Sequence, residues 1–182
     1  NFSTLVKYLH FALTLSFTER IGNRNAMQIG LKQYTIPLTN LPPAFDGFQI
    51  LHMTDLHLDR CPWIDAIIAE LIGNLSVDLA VITGDFRENL EMNCAELCPR
   101  LKSIAGHIHA KEGVFATLGN HDSAEMVPVL ESAGIPVLIN ETIEFKRGNE
   151  SLLLTGLDDV HFFYSKMADD ALANSPKDVC KI

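Results

Sequence analysis

The chain has 182 residues, 47% of them apolar and 20% charged, with 23 acidic side chains against 14 Lys and Arg and a formal charge of −9. This composition excludes a disordered segment, a collagen-like repeat and a disulfide-held mini-protein, and predicts a globular domain with a core of its own. The acidic balance argues against specific nucleic-acid binding, which needs clustered Lys and Arg, but not against a phosphate-bearing substrate, since bound divalent cations reverse the local sign of a site.

Residues 2–17 read as a helix, apolar at Phe2, Leu5, Val6, Leu9, Leu13 and Phe17 and interrupted by Lys7 and His10. A bilayer span needs about 20 uninterrupted apolar residues, so residues 2–17, within an N-terminal helical segment 1–26, are not expected to span as they stand. It is expected to pack as a helix on the domain; the sharper alternative is the remnant of an anchor or an interfacial helix. No small-residue cleavage site follows, which argues against a signal peptide.

Residues 27–36 alternate as a strand does, and Leu41-Pro42-Pro43 with Asp46-Gly47 marks a turn. Phe48–Thr54 reads as a buried strand, Pro62–Leu75 as an amphipathic helix, Leu79–Ile82 as a strand, Leu90–Ile104 as a helix and Gly113–Leu118 as a strand. Ser123–Ala133 reads as a helix stopped by Gly134 and Pro136. Strands are then expected at Pro136–Ile139, Thr142–Lys146 and Leu152–Thr155, a helix at Lys166–Ala173 and a short β-rich run at 179–182. Alternating β and α elements predict an α/β domain over 27–182 with a largely parallel sheet in its first half.

The four cysteines, Cys61, Cys94, Cys98 and Cys180, form no CxxC pair and are expected to be reduced thiols in a cytoplasmic compartment. His52, within an apolar strand, is expected to be a core histidine.

In open α/β sheets ligands gather at the carboxyl ends of strands. There this sequence places Asp55-Leu56-His57, Gly84-Asp85 and Gly119-Asn120-His121-Asp122. Asp, His and Asn form a mixed oxygen and nitrogen set suited to first-row divalent cations and not to soft thiolate sites. With an extended backbone, Asp55 and His57 would project to one side while Leu56 packs inward. A carboxylate at Asp85 offers two oxygens that can bridge two ions. Asp122 with Glu125 fits a capping box opening helix 123–133, a reading held at least equal to a role in orienting His121. Asp158, Asp159 and His161 are expected in a solvated loop.

Asp-x-His, then Gly-Asp, then Gly-Asn-His-Asp, in this order at strand ends, resembles the calcineurin-like metallophosphoesterase superfamily. The phrase FQILHMTDLHLD preceded by LPPAFDGF is most similar to its bacterial phosphodiesterase-type branch, which includes proteins with an N-terminal membrane anchor. The resemblance implies a four-layer α-β-β-α sandwich, a site for two divalent ions of the Mn, Fe or Zn class, and metal-dependent hydrolysis of phosphoric mono- or diesters. By the same resemblance Asp55 and His57 would hold the first ion, Asp85 would bridge both, Asn120 would bind the second, and His121 would be the catalytic acid or electrostatic partner beside them.

The family pattern continues with a lone His and a Gly-His-x-His segment, neither of which follows Asp122, so a C-terminally truncated sandwich is expected. Gly106-His107-Ile108-His109 matches the second string but precedes Gly119-Asn120-His121, and it is read as a helix end. A truncated chain is expected to bind metal poorly or singly, to show little or no turnover and to self-associate through an open sheet edge. A rival to the hydrolase is an interaction module that keeps the fold with an incomplete metal site.

Overall fold

The computed structural model describes residues 2–16, 18–159, 166–174 and 180–182. Two units are distinguished, Asn1–Gln33 and Tyr34–Ile182. In the first, α1 (Phe2–Leu15) and α2 (Thr18–Ala26) are helices, and Leu5, Tyr8, Leu9 and Leu13 on α1 are exposed. No helix among the described residues is long and apolar enough to cross a membrane.

In the second unit, β1 (Ile50–Met53), β3 (Leu79–Thr83) and β5 (Val114–Thr117) form a parallel sheet in the order β1-β3-β5. The central strand is apolar on every residue before its end because both of its faces are covered. Ala80 and Ile82 point into a core shared with α3 (Ile64–Ile72), α4 (Cys98–His107) and α5 (Met126–Ser132), through Ile68, Ile72, Leu101, Ile104, Met126 and Leu130. Leu79 and Val81 point the other way, into a second core with Phe45, Leu138, Phe145, Leu152 and Leu154. That core is closed by a hairpin of β6 (Glu141–Arg147) and β7 (Glu150–Gly156), with β8 (Cys180–Lys181) parallel to β7. Helices, parallel sheet and second sheet thus make successive layers, each fully buried aliphatic side chain contributing about 1.5–3 kcal/mol. One further helix, α6 (Lys166–Asn174), follows β7 and buries Ala168.

Several expectations are corrected. Residues 28–38 form no strand, and Ile29, Leu31, Tyr34, Ile36 and Leu38 are exposed: the alternation is there, but a strand needs a partner backbone. The helix expected over 90–104 cannot run through Pro99, which is tolerated only in a first turn. A 3-10 turn at Cys94–Leu97, capped by the Asn93 side chain on Ala95 N–H at 3.0 Å, precedes α4, and Pro99 sits in the first turn of that helix. The strand expected at 136–139 is reduced to one parallel bridge between Ala116 and Val137. His52 is exposed on edge strand β1, its Nε2 2.8 Å from Thr83 Oγ1, and is not a core residue.

Two two-residue strands that no periodicity announces, β2 (Ser76–Val77) and β4 (His109–Ala110), pair in parallel. They place His109 on the amino-terminal side of β3 and β5, opposite the strand ends that carry Asp85 and Asn120. The amino-terminal side is closed by a charged clasp at Asp78. Its Oδ2 accepts from Gln49 N–H at 2.9 Å, and its Oδ1 accepts from Lys111 Nζ at 3.0 Å and from Arg147 Nη2 at 2.9 Å.

Candidate metal centre

At the carboxyl ends of β1 and β3 the chain leaves the strand through residues that fold against ordinary preference. Asp55, His57 and Asp85 have φ of 54°, 37° and 54°, in the left-handed region that non-glycine residues seldom occupy. The side-by-side display of Asp55 and His57 therefore comes from two left-handed turns, not from the extended backbone expected, although Leu56 does pack inward at 5% exposure. Such strain, on the order of 1–3 kcal/mol per residue, persists where neighbours over-determine it. Here Asp55 N–H donates to Gly84 O at 3.2 Å, His57 N–H to Asp85 O at 3.0 Å and Leu58 N–H to Phe86 O at 2.9 Å, so the two loops continue the β1–β3 pairing past the strands.

Gly84 and Gly119 let the second and third loops touch. A Cβ on Gly84, whose φ is +77°, would lie 2.3 Å from Gly119 N, and one on Gly119 would lie 2.3 Å from Asp85 Oδ1. Gly84→Ala is expected to cost about 2–5 kcal/mol from backbone strain and overpacking combined. Chemical denaturation reads this, and an unchanged midpoint would refute the contact.

The result is a cluster in which ligand atoms of Asp55, His57 and Asp85 all lie within 4.8 Å of one another. The Asp55 side chain is 59% exposed and that of His57 27%. His57 Nε2 lies 3.9 Å from Asp55 Oδ1. Its buried Nδ1 has no aligned hydrogen-bond partner, with Glu88 Oε2 3.4 Å away. The Thr54 hydroxyl donates to Asp55 Oδ2 at 2.6 Å, and Asp85 Oδ1 accepts His121 N–H at 2.9 Å. Two carboxylates this close repel by roughly 3 kcal/mol at an effective dielectric of about 20, less where water screens Asp55. A divalent cation would relieve that repulsion, and with an imidazole beside the pair the donor set fits a first-row ion.

Asn120 and His121 lie on the third loop, adjacent to Gly119. The His121 ring stands edge-on to that of His57, with centroids 5.3 Å apart at 89°, and its Nδ1 is 3.2 Å from Glu88 O. His121 is thus beside the cluster. Asn120 is exposed at the turn between Gly119 and His121. His107 and His109 are not in the cluster: His107 Nδ1 bonds Ser103 O within its own helix at 2.7 Å. His161 lies outside the described residues, and Asp158 is partly buried, its N–H donating to Asn140 Oδ1 at 3.2 Å.

Asp122 does not cap a helix. It is 4% exposed, and α5 begins only at Met126. Its carboxylate accepts three main-chain N–H groups: Asp85 at 2.8 Å, Phe86 at 3.1 Å and Gly119 at 3.0 Å. It ties the second loop to the third directly beneath the cluster. Burial pushes its carboxyl above the ordinary value and the Asp85 charge adds to this, while the three N–H bonds oppose the rise without cancelling it.

Asp59 does the same between the first and second loops, accepting Glu88 and Asn89 N–H, both at 2.8 Å. Burial of Asp59 is outweighed by these bonds, which hold its carboxyl below the ordinary value. Arg100 on α4 fastens the first loop through the carbonyls of Leu58 and Cys61 and through Asp65, whose carboxyl its hydrogen bond holds low. Sequence reading passed over Asp59, Arg87, Glu88 and Arg100. The signal was Arg87-Glu88 directly after Gly84-Asp85-Phe86: a charged pair placed where a strand end meets the core.

The sequence pattern of the calcineurin-like phosphoesterases matches residues 48–175. The chain is 26% identical over 151 residues to an uncharacterized metallophosphoesterase, YkoQ, of Bacillus subtilis, covering 76% of this chain and 53% of that one. It is 37% identical over 109 residues to the UDP-2,3-diacylglucosamine pyrophosphatase LpxG of Chlamydia trachomatis, covering 57% of this chain and 32% of that one. A transmembrane protein with a metallophosphoesterase domain from Danio rerio is 27% identical over 138 residues, 69% of this chain and 30% of its own. A solved structure of an archaeal phosphodiesterase covers 74% of this chain and 82% of its own at 19% identity, with a TM-score of 0.40. The chain spans about half or less of the length of these curated relatives. Because the family pattern runs through most of the second unit and its strand-end loops converge on one cation-ready cluster, this chain belongs to the calcineurin-like phosphoesterase family, with that family's mixed α/β fold.

Proposed function

We propose that the cluster is the metal centre of a hydrolase acting on phosphoric esters. Asp55 and His57 would hold one divalent ion, Asp85 would serve it and a second ion, Asn120 would contribute to the second, and His121 would act on the ester. The observation that carries this reading is the approach of Asp55, His57 and Asp85 donor atoms to within 4.8 Å from two separate strand ends. When bound, divalent metal supplies Lewis-acid activation of water and phosphoryl oxygen. The chain's own groups do the rest. Asp122 and Asp59 fix the loop backbones, Thr54 orients the Asp55 carboxylate, and the His121 imidazole is placed beside the cluster to move a proton at the ester oxygen.

Titration of the chain with Mn2+ tests the centre directly. Saturable, chelator-reversible uptake that Asp55→Ala removes is expected, and no uptake at millimolar Mn2+ would overturn the reading. Among the described residues four donors are assigned here to two ions, so one ion should bind well ahead of a second. His121→Ala should leave metal uptake intact while slowing any turnover by roughly 10²–10⁴-fold, the contribution of a positioned proton-transfer group. Because LpxG is named for pyrophosphatase activity on a diacyl sugar nucleotide, the substrate screen should include phosphoric anhydrides beside aryl mono- and diesters. The exposed Leu5, Tyr8, Leu9 and Leu13 on α1 support attachment of the N-terminal unit to a membrane surface, which vesicle sedimentation reads.

A further inference from the structure

We propose that Arg87 is a positioning residue for His121, fixing which ring nitrogen of that histidine faces the cluster; this rests on the reading of His121 given above. Arg87 is 3% exposed. Its Nε donates to His121 O at 3.0 Å, Nη1 to Leu90 O at 3.2 Å and Met92 O at 3.1 Å, and Nη2 to Ser123 Oγ at 3.1 Å. Every one of these acceptors is neutral, and among the described residues no ion pair of Arg87 is seen. Burying a guanidinium without a paired carboxylate is costly, and an apolar side chain would fill such a site more cheaply. What the fork does here is join two segments at a fixed spacing. One is the loop after Glu88, held at Leu90 and Met92; the other is the third loop, held on both sides of Asp122, at His121 and Ser123.

Those two segments carry the two ends of one short contact: Glu88 O and His121 Nδ1 are 3.2 Å apart, with the Glu88 carboxylate farther off at 4.0 Å. A carbonyl can only accept, so this contact requires the proton of a neutral His121 to sit on Nδ1. Nε2 is then the free nitrogen, available to exchange a proton with a ligand at the cluster. The main-chain N–H of His121 is meanwhile held by Asp85 Oδ1. The imidazole is thus set from its backbone on one side and through Arg87 on the other. A lysine keeps the charge, but its single ammonium cannot span acceptors on both segments.

The test uses the 182-residue chain with 15N-labelled histidine and reads the His121 ring nitrogens by long-range 1H–15N correlation above the range where imidazole protonates. The wild-type chain should show His121 as the Nδ1–H tautomer. Arg87→Lys should shift the tautomer ratio toward Nε2–H by roughly two- to tenfold, the range that one neutral hydrogen bond is worth, with Mn2+ uptake retained because Asp55, His57 and Asp85 are untouched. If Arg87→Lys does not fold, Ser123→Ala, which removes only the Nη2 acceptor, decides the matter with a smaller shift in the same direction. An unchanged tautomer ratio in a folded variant whose melting temperature alone falls would overturn the proposal and leave Arg87 a purely structural residue. No Mn2+ uptake by the wild-type chain together with the tautomer shift in Arg87→Lys would sink the metal reading while this one stands.

Discussion

Replacing Asp85 with Asn is expected to remove divalent-metal binding while leaving the fold intact. The amide is nearly the same shape, so its oxygen can still accept His121 N–H where Asp85 Oδ1 now does at 2.9 Å. The Asp85 backbone also keeps its bonds to Asp122 and to His57 N–H. What disappears is the charge, at the carboxylate of the cluster that also accepts from the third loop. The loss of affinity should exceed the roughly 10–100-fold that removal of a partner behind a metal ligand costs. Without metal, the variant should melt no lower than the wild type, because the repulsion between Asp55 and Asp85 is gone. Titration calorimetry with Mn2+ and a thermal melt in chelator read the two halves separately. Mn2+ affinity within a few-fold of wild type would refute the assignment of Asp85; lost affinity with a collapsed melting temperature would make its role structural.

The contrast between what could be read in the sequence and what could not follows from the range of each interaction. Asp55, His57, Asp85 and His121 were legible because strand ends are marked locally: a short apolar run stops and polar residues follow. The residues that hold those loops in place, Asp59, Arg87, Arg100 and Asp122, were not legible because they bond main-chain groups roughly 30 to 40 residues away, as in Asp122 to Asp85 and Phe86. Main-chain partners leave no residue-type signature. Asp122 illustrates the trap, since Asp-Ser-Ala-Glu is a capping pattern, yet the carboxylate serves N–H groups of the second loop and of its own loop, and the helix starts later. The Asp55–His57 display was anticipated for the wrong reason, as left-handed φ in Asp and His leaves no periodic trace. Residues 27–36 failed in the opposite sense: local alternation is sufficient for a strand only when a neighbour supplies the hydrogen bonds.

Asp78 organises the other end of the sheet, and its removal should give a large loss of stability. Its side chain is 9% exposed and accepts from Gln49 N–H, Lys111 and Arg147. The Arg147 guanidinium also lies 4.9 Å from the Phe45 ring centroid and 5.1 Å from that of Phe48. One carboxylate therefore ties the start of β3 to the chain before β1, to the turn before β5 and to the end of β6. Removing one member of a buried pair typically costs about 3–5 kcal/mol. Lys111 is 67% exposed and Arg147 keeps Glu112 at 3.5 Å, so the low end, about 3 kcal/mol, is expected for Asp78→Ala. For a chain of this length that lowers the melting temperature by roughly 6–12 °C. The pH dependence separates charge from packing. Burial alone would raise the Asp78 carboxyl, but the bonds from Gln49, Lys111 and Arg147 outweigh it and hold it below its ordinary value of 3.8. The folded state thus prefers the carboxylate. Its contribution is complete above about pH 4 and is lost as pH falls through the lower folded value. Denaturation of wild type and Asp78→Asn should show a wide gap at pH 7 that narrows steadily below about pH 4. A gap of equal size at both ends of that range would mean that Asp78 acts through shape and neutral hydrogen bonds, and not through its charge.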